Sequence, residues 1–141
     1  MTTKLTRLTL AALASAISIA TAVAAEDAPT TPLPPASTKA GLNYAADIKP
    51  IFDANCVKCH SGKKPKAHLH LDSLAGILKG TKHGPVLKPG AGDQSLIVKA
   101  VAHQLKDHDG WMPPMPNKAG AKTLTPEQIG VVIGWINQGA K

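Results

Sequence analysis

The stretch IKPIFDANCVKCHSG, residues 48–62, holds both cysteines of the chain, and its core Cys56-Val57-Lys58-Cys59-His60 decides how the rest is read. On a helical turn, positions i, i+3 and i+4 share one face, so two thiols and one imidazole emerge side by side. C-x-x-C-H is the spacing by which haem is attached covalently. Two other uses of paired cysteines compete with it. A dithiol oxidoreductase expects the pair to open a helix after a strand, and no strand signal precedes Cys56. A zinc site could draw on His68 and His70, but a structural zinc takes a second close ligand pair of recognisable spacing. The residues therefore point to one haem c per chain, attached at Cys56 and Cys59, with His60 bound to the iron.

Upstream of the motif, Pro50 falls in the opening turn of a helix expected from about Asp47 towards His60, on which Ile48, Ile51 and Phe52 share a face. The folded domain is expected over residues 41–141. Before it, residues 26–40 carry Pro29, Pro32, Pro34 and Pro35 and almost no large apolar side chain, the composition of an extended, flexible leader. Residues 1–25 read as a secretory signal: Lys4 and Arg7, an uncharged apolar run from Leu8 to Ala22, then the small residues Ala22-Val23-Ala24-Ala25 for cleavage. The run is short for a bilayer span and lacks charge on its far side. Export to the periplasm or an equivalent compartment is expected. No cysteine follows the signal to take a lipid, so stable membrane insertion is not expected after cleavage.

Loss of Lys4 and Arg7 from the 16 basic residues leaves 14 lysines against 9 acids, a net charge of +5 with no arginine. Nucleic-acid binders lean on arginine forks and stacking aromatics, whereas the aromatics here are only Tyr44, Phe52, Trp111 and Trp135. A nucleic-acid role is thereby disfavoured. Dispersed lysine suits a solvated surface, or steering onto a redox partner with an acidic docking face. So few aromatics in a domain of about 100 residues also leaves its centre short of apolar bulk, which a flat apolar cofactor would supply.

Downstream, Thr125-Pro126-Glu127-Gln128 has the form of a capping box with proline at the first helical position, and Gly139 is placed to end the helix. Ile129, Val132, Ile133 and Ile136 recur at helical spacing between them, with Trp135 on the flank. Asp72 is positioned to cap a short helix with Leu74, Ile77 and Leu78, and Asp93 or Ser95 another with Ile97, Val101 and Leu105. The alternation His68-Leu69-His70-Leu71 is the one short extended signal, and it has no partner. The fold class is all-α, with several short helices and long loops around one haem.

A second iron ligand could come from Met112, Met115 or the remaining histidines, since Met1 leaves with the signal. Thioether sulfur is the soft donor that favours ferrous iron. Trp111 beside Met112 could pack near the haem, and Pro113 and Pro114 stiffen the loop that carries it.

From about Ile48 to Gly139 the chain resembles the planctomycete-type cytochrome c domain family, through IKPIFDANCVKCHSG, LHLDSLAGILKGTKHGPVLKPG, SLIVKAV, MPP and LTPEQIGVVIGWINQGA. The resemblance implies a cytochrome c-like domain in which Met112, of the Met-Pro-Pro segment, is the second axial ligand. Members often carry Gly-Leu-Arg-Leu where this chain has His68-Leu69-His70-Leu71, so a propionate contact from that arginine is not carried over; His70 reads as a surface residue or a substitute donor. Gly84-Pro85-Val86-Leu87 is similar to the Gly-Pro-x-Leu segment of cytochromes c at large. That implies cofactor-binding roles for Pro85, whose carbonyl would accept the His60 N–H, and for Leu87. Members are often fused to larger domains, and a chain with little beyond the domain favours a freely diffusing carrier.

One-electron transfer between redox partners is the expected function, because a haem with both axial positions filled needs no open iron site. The competing expectation is a haem enzyme subunit or ligand sensor with a labile sixth position. On the motif alone, mass spectrometry of the acid-denatured mature protein is expected to give the polypeptide plus one haem, and Cys56→Ser at most a single thioether. Release of haem from wild-type protein by acid–organic extraction would refute covalent attachment.

Overall fold

A computed structural model describes residues 31–141; the expected signal, residues 1–25, and the first part of the leader, residues 26–30, lie outside the described residues. The described chain is helical, and its one β-feature is an isolated bridge between Thr81 and Gly84. Four short α-helices follow in order: α1 (Lys49–Asn55), α2 (Leu74–Lys79), α3 (Leu96–Val101) and α4 (Pro126–Asn137). Long loops join them, with a π-helical turn at Tyr44–Ile48 and 3-10 turns at Lys66–His68, Gly92–Gln94 and His108–Gly110. Among the described residues no helix is long and apolar enough to cross a membrane.

Helix α4 is the frame. Its capping box forms as the sequence leads one to expect: the Gln128 N–H donates to Thr125 Oγ1 at 3.2 Å, and the Thr125 N–H to Gln128 Oε1 at 3.0 Å. Ile129, Val132, Ile133 and Ile136 face the core, and α4 packs on the Tyr44–Ile48 turn, the Gly92–Gln94 turn and α3. Trp135, on the flank of that stripe, is fully buried. Its ring lies 6.1 Å from that of Tyr44, and its Nε1–H donates to the Lys141 carbonyl at 2.9 Å. Burial of such a ring is tolerated because the indole N–H finds this acceptor.

The short helices depart from expectation at their ends. Ser73, not Asp72, caps α2, accepting the Gly76 N–H on its hydroxyl at 3.1 Å. Ser95 stands at the start of α3 without capping it: its hydroxyl donates to the Ala91 carbonyl and accepts the Lys88 N–H, which ties the Gly92–Gln94 turn to the loop before it. Helix α3 ends at Val101, so Leu105 belongs to the following loop rather than to the helix.

Part of the leader is also held. Over residues 31–40, expected as flexible, Leu33 and Ala36 pack on the core, the Ser37 N–H donates to the Gly130 carbonyl at 2.8 Å, and Gln138 Nε2 donates to the Lys39 carbonyl at 2.8 Å. The cause lies in α4. A Cβ on Gly130 would come within 2.6 Å of the Pro35 carbonyl oxygen, and one on Gly134 within 2.7 Å of that of Ser37. Two glycines thus let a backbone lie flat on the helix. Gly134→Val is expected to lower stability by about 1–3 kcal/mol through overpacking, a fall in Tm of roughly 4 °C or more in a thermal melt of the haem-loaded protein. An unchanged Tm would show that residues 35–39 are not held against α4.

Candidate cofactor site

Helix α1 brings the motif to the centre by anchoring fully buried Phe52, then stops short of it. The Cys56 and Val57 N–H groups both donate to the Phe52 carbonyl, at 2.7 and 3.0 Å, which over-widens the turn, and Cys56 leaves helical geometry with φ at −125°. The helix expected to run to His60 therefore ends at Asn55. A separate turn follows, closed by the Cys59 and His60 N–H groups donating to the Cys56 carbonyl at 3.1 and 3.0 Å. That turn keeps the one-face presentation that a continuous helix was expected to provide. The His60 carbonyl accepts the Leu71 N–H at 2.8 Å and the Cys59 carbonyl the Lys66 N–H at 3.0 Å, fixing the turn from behind.

Cys56, Cys59 and His60 share one wall of a cavity of about 560 Å³. Leu69, Leu71 and Val86 add apolar surface, α3 contributes Ile97, Ala100 and Val101, and the loop after α3 closes the remainder with Leu105, Gly110 and Met112. Lys66 and Lys118 are the cations in the lining. Neither was singled out in the sequence, where they read as two more dispersed lysines; only the return of their loops to the cavity distinguishes them.

His60 is 7% exposed, and its Nδ1 is the buried side-chain polar atom among the described residues that lacks a hydrogen-bond partner. Burial pushes the imidazole below its ordinary pKa, against a smaller opposing pull from the backbone at Lys66 and Leu69, so the ring is neutral at neutral pH. Leaving a buried ring nitrogen without a partner carries a desolvation cost. The expected bond from His60 to the Pro85 carbonyl is not made. Thr81 and Gly84 exchange backbone hydrogen bonds of 2.9 and 3.1 Å, and this tight turn leaves Pro85 on the surface. Leu87 is buried in the core but does not line the cavity, whereas Val86 between them does.

Burial, with Cys59 adding to it, pushes the free Cys56 thiol up to about 11, which suppresses the thiolate that a dithiol catalyst uses. His68 and His70 stand apart from the cysteines: His68 is exposed, and His70 Nδ1 lies 3.7 Å from Asp72. Neither lines the cavity.

Of the candidates for a second axial ligand, Met112 lines the cavity and packs on the core, while Met115 is 61% exposed and outside the lining. No histidine but His60 belongs to the lining. Trp111, expected beside the cofactor, is instead turned away from the cavity. Its ring stacks on His103, with centroids 4.8 Å apart and planes 5° apart, and meets His108 at 4.1 Å. Its Nε1–H donates to the Leu105 carbonyl at 2.9 Å, which satisfies the indole donor away from the cavity. Two thiols, a neutral imidazole and a thioether around one apolar enclosure fit a covalently held haem.

The chain is similar to known proteins. A family model described as planctomycete cytochrome C matches residues 56–116. Cytochrome c-555 of Prosthecochloris aestuarii is 30% identical over 107 residues, which cover 72% of this chain and 95% of that protein. Among solved structures, Kuenenia stuttgartiensis hydrazine synthase is similar at 22% identity with a TM-score of 0.47, over 70% of this chain and 16% of that one.

A cavity of this size at the centre of so small a domain forfeits a large share of its apolar contacts when nothing fills it. Protein made without the haem-attachment machinery is accordingly expected to be largely unfolded by circular dichroism. A cooperative thermal transition with full helix content would contradict this.

Proposed function

The chain belongs to the cytochrome c family, of the planctomycete type, and from that premise we propose that it is an exported one-electron carrier whose single haem is attached at Cys56 and Cys59 and ligated by His60 and Met112. Bound there, haem supplies an iron centre that gains and loses one electron reversibly. The residues of the chain do the rest. Cys56 and Cys59 fix the cofactor's place at the end of α1, where the Phe52 anchor and the double hydrogen bond to its carbonyl hold the turn. Burial keeps His60 neutral and available as a donor. The apolar wall excludes water and so favours the less charged state of the centre.

The observation that carries the reading is the singular position of Met112: of the two methionines and five further histidines of the domain, it alone lines the cavity with His60. A carrier needs both axial positions filled; an enzyme or sensor needs one open, with an acid–base group above it. Among the described residues no Asp or Glu lines the cavity, which supports the carrier over the enzyme subunit. Exposed Lys58, Lys63 and Lys64 lie beside the attachment turn and suit a redox partner that presents carboxylates there.

Ferric protein is expected to show a sulfur-to-iron charge-transfer band in the far red that disappears in Met112→Ala and persists in Met115→Ala. Reduced wild-type protein is expected to resist carbon monoxide, and reduced Met112→Ala to bind it. A band that follows Met115, or ready carbon monoxide binding by the wild type, would overturn the assignment.

A further inference from the structure

Helix α3 is too short to reach Met112 along the chain, yet it controls where that residue sits. The Ala100 carbonyl, in the last turn of α3, accepts the Met112 N–H at 3.0 Å. His103 lies just beyond the helix in the left-handed region, with φ at 55°, a conformation unfavourable for a side chain larger than glycine. There its Nε2 is 3.2 Å from the Met112 carbonyl oxygen. A carbonyl only accepts, so Nε2 carries the proton and donates. The backbone of Met112 is therefore gripped from both sides by the end of α3: its N–H by a main-chain carbonyl and its C=O by a side chain from a strained position.

The Trp111 ring completes the grip. Parallel stacking on His103 keeps the imidazole in the orientation that aims Nε2 at residue 112, and the bond from Trp111 Nε1 to the Leu105 carbonyl keeps the indole from swinging away. The geometry points to His103 as the positioning residue for the sixth ligand: it holds the Met112 backbone so that the thioether stays in the cavity wall. Iron–thioether bonding is weak, so the loop must contribute to keeping the sulfur in place, and a hydrogen bond to the ligand's own carbonyl acts on the residue that would otherwise swing out. His103 touches no cofactor and acts through Met112. The inference rests on Met112 being the ligand.

The test uses haem-loaded full-length protein and measures the rate at which added imidazole displaces the native ligand from ferric iron, read as loss of the far-red band. His103→Ala is expected to accelerate displacement roughly two- to tenfold, the factor that corresponds to one net hydrogen bond. His103→Gln, whose amide can donate to the same carbonyl, is expected to return most of the wild-type rate. His108→Ala removes the other ring on Trp111 without touching Met112 and is expected to stay within about twofold of wild type, which separates positioning from general loosening of the loop. Equal rates for His103→Ala and wild type, or equal acceleration by His108→Ala, would overturn the role of His103 while leaving Met112 as ligand. A far-red band that survives Met112→Ala would overturn the ligand assignment itself, and this role with it.

Discussion

An apolar cavity of about 560 Å³, lined by residues drawn from well-separated stretches between Phe52 and Ala121, is the constraint on which the rest of this structure depends. A domain of about 100 residues has little apolar surface to spare, and here much of it faces inward on a space that side chains do not fill. Of the four aromatic residues, Tyr44 and Trp135 pack against each other in the core and only Phe52 lines the cavity, whose walls are otherwise mainly aliphatic. The fold thus divides into a conventionally packed half built on α4 and a half that is complete only around a flat apolar group. Covalent attachment suits such an arrangement, because a bond that cannot dissociate removes the dependence of folding on free cofactor concentration.

The two halves meet at α1 and α3. Phe52 and Ile48 are fully buried in the core, and the carbonyl of Phe52 carries the turn that displays Cys56, Cys59 and His60. From the other direction α3 lies between α4 and the cavity, presenting Val98 to the core and Ile97, Ala100 and Val101 to the cavity. Its C-terminal end then holds Met112. The attachment turn is thereby tied by hydrogen bonds to α1, and Met112 to α3. Rigid support of this kind suits electron transfer, in which little should move when the charge of the centre changes.

The electrostatics are simple. Lysines outnumber acids and occupy the surface, with Lys66 and Lys118 reaching the cavity lining. Ion pairs such as Lys49–Asp53, at 2.7 Å between exposed side chains, contribute little to stability. The charge of the protein therefore contributes little to holding the fold together.

What the sequence determined by itself was whatever depends on neighbours in the chain. The C-x-x-C-H spacing, the capping box of Thr125 and Gln128, the apolar stripe of α4 and the all-α class were all legible there, because each is set by residues within a turn or two of one another. Tertiary structure decided what depends on distant groups. Helix α1 ends at Asn55 because two N–H groups converge on one anchored carbonyl. Ser95 abandons its cap because Lys88 and Ala91 compete for its hydroxyl. Residues 35–39 lie on α4 because Gly130 and Gly134, far along the chain, leave room for a backbone. Pro85 is drawn out of the site by the turn at Thr81 and Gly84, and Met112 is set apart from Met115 by the end of α3. In each case a polar group took a partner that composition and periodicity cannot reveal, since hydrogen bonds are satisfied in space and not in sequence order.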